Sequence, residues 1–357
     1  MKIKGAASRK LLSDILASAA HAAPLPKVLG PISIVFMGIG AIIGAGIFVL
    51  TGTAAALYAG PAVVVSFVLA GIACAFVALC YAELAALMPV SGSTYTYTYA
   101  SLGQLAAWLV GWNLILEYSI GAAAVAVGWS GYFNGTLASV GLAIPPRLSV
   151  STGQAVQLAD GSTTTAIANL PAAAIVALLT FLLVLGTRES ARLNNLMVAL
   201  KLLVILAFIG FGISHVSVAN WQPFVPPNAG TFGTFGWSGV LHGASVVFFT
   251  YIGFDAVSNC AQEARRPQRD MPIGILGALV ISTVLYVLVA GVLVGVVPYH
   301  QLNVAAPVGL AVDHMGIGWF AALIQLGAMI GITTAILVLL YGQGRIFATM
   351  ANDGLMP

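Results

Sequence analysis

Long apolar stretches recur along the whole chain, each near the roughly 20 residues that a helix needs to cross a bilayer. Eight such windows fall at 32–57, 61–88, 104–133, 169–187, 192–214, 237–259, 272–297 and 318–345. The short alternating segments that build membrane barrels do not occur. This pattern predicts an all-α polytopic membrane protein. The longest polar interruption, 134–168, holds Pro145-Pro146 and the run Ser162 to Thr165 and reads as a surface excursion without chemistry of its own.

Composition narrows the field. Only 6% of the 357 residues are charged and 60% are hydrophobic, against roughly 25% charged in an ordinary soluble domain. A soluble enzyme, a disordered tail or a nucleic-acid binder would each need surface charge that this chain lacks. The cations that remain are placed asymmetrically. Lys2, Lys4, Arg9, Lys10 and Lys27 precede the first span, Arg188, Arg192, Arg265, Arg266 and Arg269 follow spans four and six, and Arg345 closes span eight. Arg147 alone lies on the opposite side. Cytoplasmic loops carry the excess of Lys and Arg, so the chain is expected to cross the cytoplasmic (inner) membrane with its N-terminus on the cytoplasmic side and with lipid as the surrounding partner.

Residues 1–31 are expected to form a cytoplasmic segment. Ser18 to Ala23 resembles a signal-peptidase site, but Asp14 interrupts the apolar stretch before it. A short interfacial helix through Leu11, Leu12, Ile15 and Leu16 fits better. Cys74, Cys80 and Cys260 form no CxxC pair and read as small packing residues. No metal-ligand set and no cofactor fingerprint is present, and HExxH, G-x-S-x-G and GxxxxGK[ST] are all missing.

Two features do not suit a plain membrane helix. Lys201 lies about nine residues into span five, too deep to snorkel comfortably, and an ammonium there must face a cavity, a carboxylate or backbone carbonyls. Glu117 is similarly deep in span three, whereas Glu83 and Asp255 lie nearer span ends, where a solvated or capping role is as natural as a functional one. The second feature is glycine. Gly38, Gly40, Gly44 and Gly46 crowd the middle of span one, and each costs about 1 kcal/mol of helix stability against alanine. A GxxxG packing face would explain Gly40 and Gly44 alone. Span six, however, carries Thr250, Gly253 and Asp255 at a comparable depth. Interrupted segments at corresponding positions of two halves point to a secondary transporter with an inverted repeat and to its binding site. Five spans per half, an odd number, force the second half upside down.

At these residues the chain resembles the amino acid–polyamine–organocation superfamily, and within it the bacterial members of the cationic amino acid transporter family. The resemblance is carried by the run from Gly38 to Gly52, by Cys80 to Leu84 with Pro89 to Ser93, by Gly111 to Tyr118, by Phe248 to Asp255, and by Arg266 to Gly274. It implies a leucine-transporter-like fold and a secondary active amino acid transporter, proton-coupled, with an exchanger without coupling as the alternative. It also implies site residues. The substrate carboxylate is expected at the backbone N–H groups of Gly44, Ala45 and Gly46, and the α-amino group at carbonyls near Ile42, Phe249, Thr250 and Ile252. Lys201 matches the lysine of proton-coupled members, its ammonium standing where sodium-driven relatives hold a sodium ion. Thr333 and Thr334 match the hydroxyl-bearing stretch beside it, and Glu117 and Asp255 are supporting candidates.

The resemblance divides the chain into a first five-span repeat at 32–214, an extracellular loop at 215–236, and spans six to eight at 237–357. The family has ten core spans, so the second repeat is expected to lack its last two, and a transport-incompetent fragment of such a carrier is the rival reading. An intramembrane enzyme and a channel are disfavoured, since neither a catalytic motif nor a ring of like charge is present. The bound partners expected are an amino acid and protons, and no nucleic acid.

Overall fold

The computed structural model describes residues 9–11, 13, 27, 29–44, 46–90, 92–139, 141–157, 162–185 and 190–356. The helices are apolar on nearly all sides, as a membrane environment requires. Large side chains such as Phe76, Val184 and Leu196 face outward, while Ile34, Phe67 and Tyr286 are buried. Among the described residues six helical stretches are long and apolar enough to cross a membrane, and two shorter apolar helices accompany them.

Span one begins as α1 (Pro31–Ile42), breaks, and resumes at Gly46. Its second half is wound irregularly, with α2 (Thr51–Ala54) between two π-type turns, Gly46–Leu50 and Ala55–Ala59. Gly60, at φ +62°, and Pro61 end it, and α3 (Val63–Leu87) follows. Next come α4 (Ser93–Ser101), α5 (Gln104–Ser139), α6 (Leu170–Leu185) and α7 (Ser190–Ile213). Span six is again divided, into α8 (Gly236–Phe248) and tight turns at Phe249–Tyr251 and Ala256–Glu263. The chain closes with α9 (Pro267–Val296), α10 (Pro307–Met315) and α11 (Gly318–Asn352).

Each of the eight predicted windows falls on one of these helices or helix pairs, with several ends moved. Helix α9 starts at Pro267 rather than 272, because proline suits a first helical turn and the Asp270 carboxylate accepts from the Arg266 N–H at 3.0 Å. Helices α5 and α11 run past 133 and 345 to Ser139 and Asn352. The excursion at 134–168 contains a small hairpin, β1 (Ala155–Gln157) paired antiparallel with β2 (Thr163–Thr165). Helices α4 and α10 are additions that hydropathy did not suggest, each being only nine residues long. The interfacial helix expected near Leu11 to Leu16 lies largely outside the described residues.

Helix α9 packs along α3 and α1, and α11 packs along α5, so the first and sixth spans are enclosed at the centre. Both breaks therefore lie inside protein, where irregular backbone is tolerated in a membrane.

Candidate functional site

The end of α1 leaves backbone carbonyls without helical partners, as every helix end does. Ile43 is extended, at φ −79° and ψ 93°, so the helix stops there. Ile43 N–H closes on Ile39 O at 3.0 Å, and side chains from distant spans take the next carbonyls. Lys201 Nζ donates to Gly40 O at 3.0 Å and to Ile43 O at 2.8 Å. Its third proton goes to Thr334 Oγ1 at 3.0 Å. Tyr286 Oη lies 2.7 Å from Ile42 O and 2.8 Å from Thr250 O.

Span six breaks beside this point. Ile252 is extended and Gly253 adopts φ +113°, a conformation that suits glycine. A Cβ at Gly253 would also lie 3.0 Å from the Ala41 carbonyl carbon, so the two breaks cross in direct backbone contact. A Cβ at Gly46 would overlap the Thr250 side chain, and one at Gly44 would come within 2.6 Å of the Ala335 methyl.

Between them lies a small cavity of ≈ 20 Å³ for the centres of water-sized molecules, room for about one water. Spans one and six line it with Ile42, Gly44, Gly46, Phe249, Thr250 and Ile252. Helices α5 and α11 complete it through Gly121, Val125, Ala335 and Leu339. Among the described residues no charged side chain lines it. The arrangement offers polar backbone at the two breaks and an aliphatic wall opposite.

Six of the seven residues expected to meet substrate thus line one cavity, and Ala45 lies outside the described residues. Lys201 is fully buried and sits at the α1 break without lining the cavity. Thr334 joins it, but Thr333 does not: its hydroxyl donates to Met329 O of its own helix at 2.7 Å, because adjacent helical residues point to different faces. Asp255 is buried, accepts from Tyr118 Oη at 2.5 Å and from Gly253 N–H at 3.2 Å, and stays off the cavity wall. Glu117, half-buried, is one helical turn from Gly121 on α5 and also off the wall.

Sequence reasoning missed the tyrosines. Tyr286 bridges the breaks, Tyr118 holds Asp255, and Tyr132 Oη donates to Phe48 O at 2.6 Å. All three are fully buried. Their signal was a phenol inside an aliphatic window, since a buried Tyr hydroxyl needs a partner.

Comparison with known proteins agrees with this architecture. The sequence model of the amino acid permease family matches residues 29–357. The chain is 47% identical over 349 residues to the methylthioribose transporter of Bacillus subtilis (strain 168), covering 98% of this chain and 72% of that one. It is 46% identical over 357 residues to the branched-chain amino acid permease BcaP of the same organism, covering 99% and 74%. The chloroplastic cationic amino acid transporter 9 of Arabidopsis thaliana is 41% identical over 334 residues, 93% of this chain and 56% of that one. With its multi-pass helical fold, the chain belongs to the amino acid permease family, a family of membrane transporters and not of enzymes.

Proposed function

We propose that this protein carries neutral amino acids with apolar side chains across the cytoplasmic membrane, by alternating access around its two broken spans and with Lys201 as the proton-coupling group. The observation that carries the reading is the crossing of the breaks at Ala41 and Gly253 beside a cavity that both spans line. The substrate carboxylate meets the N–H groups that open the second half of span one, near Gly44 to Gly46, where the helix end is positive. Its ammonium meets the carbonyls of Ile42 and of Phe249 to Ile252, and its side chain enters the space bounded by Val125 and Leu339.

Support for an apolar side chain comes from the wall itself. A cationic side chain would need a carboxylate, and Asp255 and Glu117 both lie off the cavity. One similar protein is named for branched-chain amino acids and another for cationic ones, so the wall is what discriminates. The repeat reading, with spans one to five and an inverted second set beginning at span six, is supported by breaks five spans apart. The basic residues favour an N-terminus on the cytoplasmic side.

Titration calorimetry of the purified chain with L-leucine, L-arginine and methylthioribose tests the proposal. Binding of leucine with no heat from arginine is expected. Arginine binding more tightly than leucine overturns the side-chain class, and binding of methylthioribose alone overturns the amino acid reading in favour of a neutral thioether sugar, which the same uncharged wall would accept.

A further inference from the structure

We propose that Tyr286 is a positioning residue for the substrate's α-amino group, holding one carbonyl from each broken span at a spacing that a single ammonium can bridge; this rests on the amino acid site described above.

Its hydroxyl oxygen is 2.7 Å from Ile42 O and 2.8 Å from Thr250 O. The two carbonyls are therefore no farther apart than those two lengths laid end to end, and they belong to different spans. Left alone, two carbonyl dipoles presenting their negative ends to one point repel and turn away from each other. The phenol prevents this because it cannot itself move. Tyr286 is fully buried, and its ring is held between Phe67 and Tyr251, each 5.2 Å away between centroids.

Donor arithmetic separates this clamp from the one at Lys201. An ammonium has three protons, and Lys201 spends them on three acceptors, Gly40 O, Ile43 O and Thr334 Oγ1. That cluster is saturated. A phenol has one proton, and Tyr286 faces two carbonyls. Among the described residues the pair at Ile42 and Thr250 is one donor short, with spare lone pairs on both oxygens. No neighbouring hydroxyl makes up the difference. Tyr251 Oη donates to Phe67 O at 3.0 Å, and Thr250 Oγ1 donates to Val247 O at 2.6 Å. Ile42 and Thr250 both line the cavity, so the missing donor is supplied from there. An α-ammonium, a cation set against two converging carbonyl dipoles, is held there more strongly than a neutral hydroxyl or amide.

The test is Tyr286→Phe, which keeps the ring between Phe67 and Tyr251 and removes only the oxygen. Affinities are measured by calorimetry for L-leucine and for 4-methylpentanoate, which has leucine's carboxylate and side chain but no amine. The expected result is a loss of about tenfold for leucine, the scale of one charge-assisted hydrogen bond, with less than about twofold change for 4-methylpentanoate. Tyr251→Phe, which removes a hydroxyl from the adjoining ring but not from the carbonyl pair, should leave the ratio of the two affinities unchanged. Equal losses for both probes in Tyr286→Phe reduce the residue to general packing and overturn the proposal, as does a matching ratio shift in Tyr251→Phe. A wild-type chain that binds neither probe brings down the amino acid site itself, and this inference with it; a wild-type chain that binds leucine while Tyr286→Phe binds it equally well overturns the role of Tyr286 alone.

Discussion

Replacing Lys201 by methionine tests coupling with the least disturbance of the fold. The thioether nearly matches the lysine stem in length and suits an apolar surrounding. Two carbonyls, Gly40 O and Ile43 O, lose their donor, and each unsatisfied buried acceptor costs about 1–3 kcal/mol. Against this, burying an ammonium carries a penalty of several kcal/mol that methionine does not. Thr334 Oγ1 also lies 3.4 Å from Gly40 O and can turn its proton there from Gly331 O. The terms are of similar size and opposite sign, so the net change should stay within about 2 kcal/mol and the chain should remain folded. Coupling is another matter, because methionine has no proton to carry. In proteoliposomes loaded under an imposed pH difference, Lys201→Met should therefore lose accumulation of labelled leucine while its melting temperature moves by only a few degrees. Lys201→Arg should fail as well. A guanidinium keeps its proton, and the lysine stem already fills the space beside Gly331, where a Cβ would lie 3.3 Å from Lys201 Cδ. Accumulation by Lys201→Met with the wild-type dependence on the pH difference would refute the assignment.

Gly253→Ala combines a residue at φ +113° with a clash against the Ala41 backbone at 3.0 Å; a stability loss of at least about 1–2 kcal/mol and loss of leucine binding are expected, measured by thermal shift with and without ligand. Gly46→Ala should also weaken binding through its overlap with Thr250, and Thr250→Gly in the same chain should recover part of that loss; a double-mutant cycle with no coupling would return Gly46 to a purely backbone role. Gly121→Phe should fill the cavity from α5 and abolish leucine binding, with a wild-type calorimetric titration as the contrary result. A membrane-impermeant thiol reagent applied to intact cells should label Gln154→Cys and miss Gln268→Cys, both exposed positions; labelling at 268 would reverse the orientation.

How much of this was legible depends on the kind of interaction. Spans were readable because a bilayer imposes length and hydropathy on each helix separately. Lys201 was readable because a buried cation demands acceptors, and the glycines of span one were the obvious place to find exposed carbonyls. Thr334 and Thr333 could not be told apart, since which of two adjacent hydroxyls faces span five depends on the rotation of α11. Tyr286 was invisible for a related reason: nothing local says that a phenol in span seven reaches Ile42, 244 residues away. Gly44 and Gly46 were read as openings for backbone N–H groups. The structure adds that both are also sites of close approach, against Ala335 and Thr250. Asp255 was left between capping and function, and its bond with Gly253 N–H two residues earlier accounts for the local part.

The two faces of the helix bundle around the cavity are held by different contacts. On the face that carries the basic residues, Leu29 N–H donates to Glu263 O at 3.0 Å and Arg265 N–H to Leu29 O at 2.9 Å. Among the described residues two ion pairs lie there, Arg345 with Glu263 at 3.5 Å and Lys10 with Asp353 at 2.8 Å. Both are partly exposed, and such pairs contribute about 0–1 kcal/mol each. Tyr95 adds a phenol that donates to Asp353 Oδ2 at 2.9 Å, and burial together with that carboxylate holds its pKa far above the usual phenol range, so it remains a donor throughout the physiological range. The other face holds two aromatic contacts, Phe48 against Tyr132 at 6.1 Å and Tyr58 against His242 at 4.2 Å, and one backbone hydrogen bond, from Phe235 N–H to Tyr58 O at 2.8 Å. Apolar closure resists salt, whereas exposed ion pairs are screened by it. Contacts on the charged face are thus the ones that ionic strength weakens.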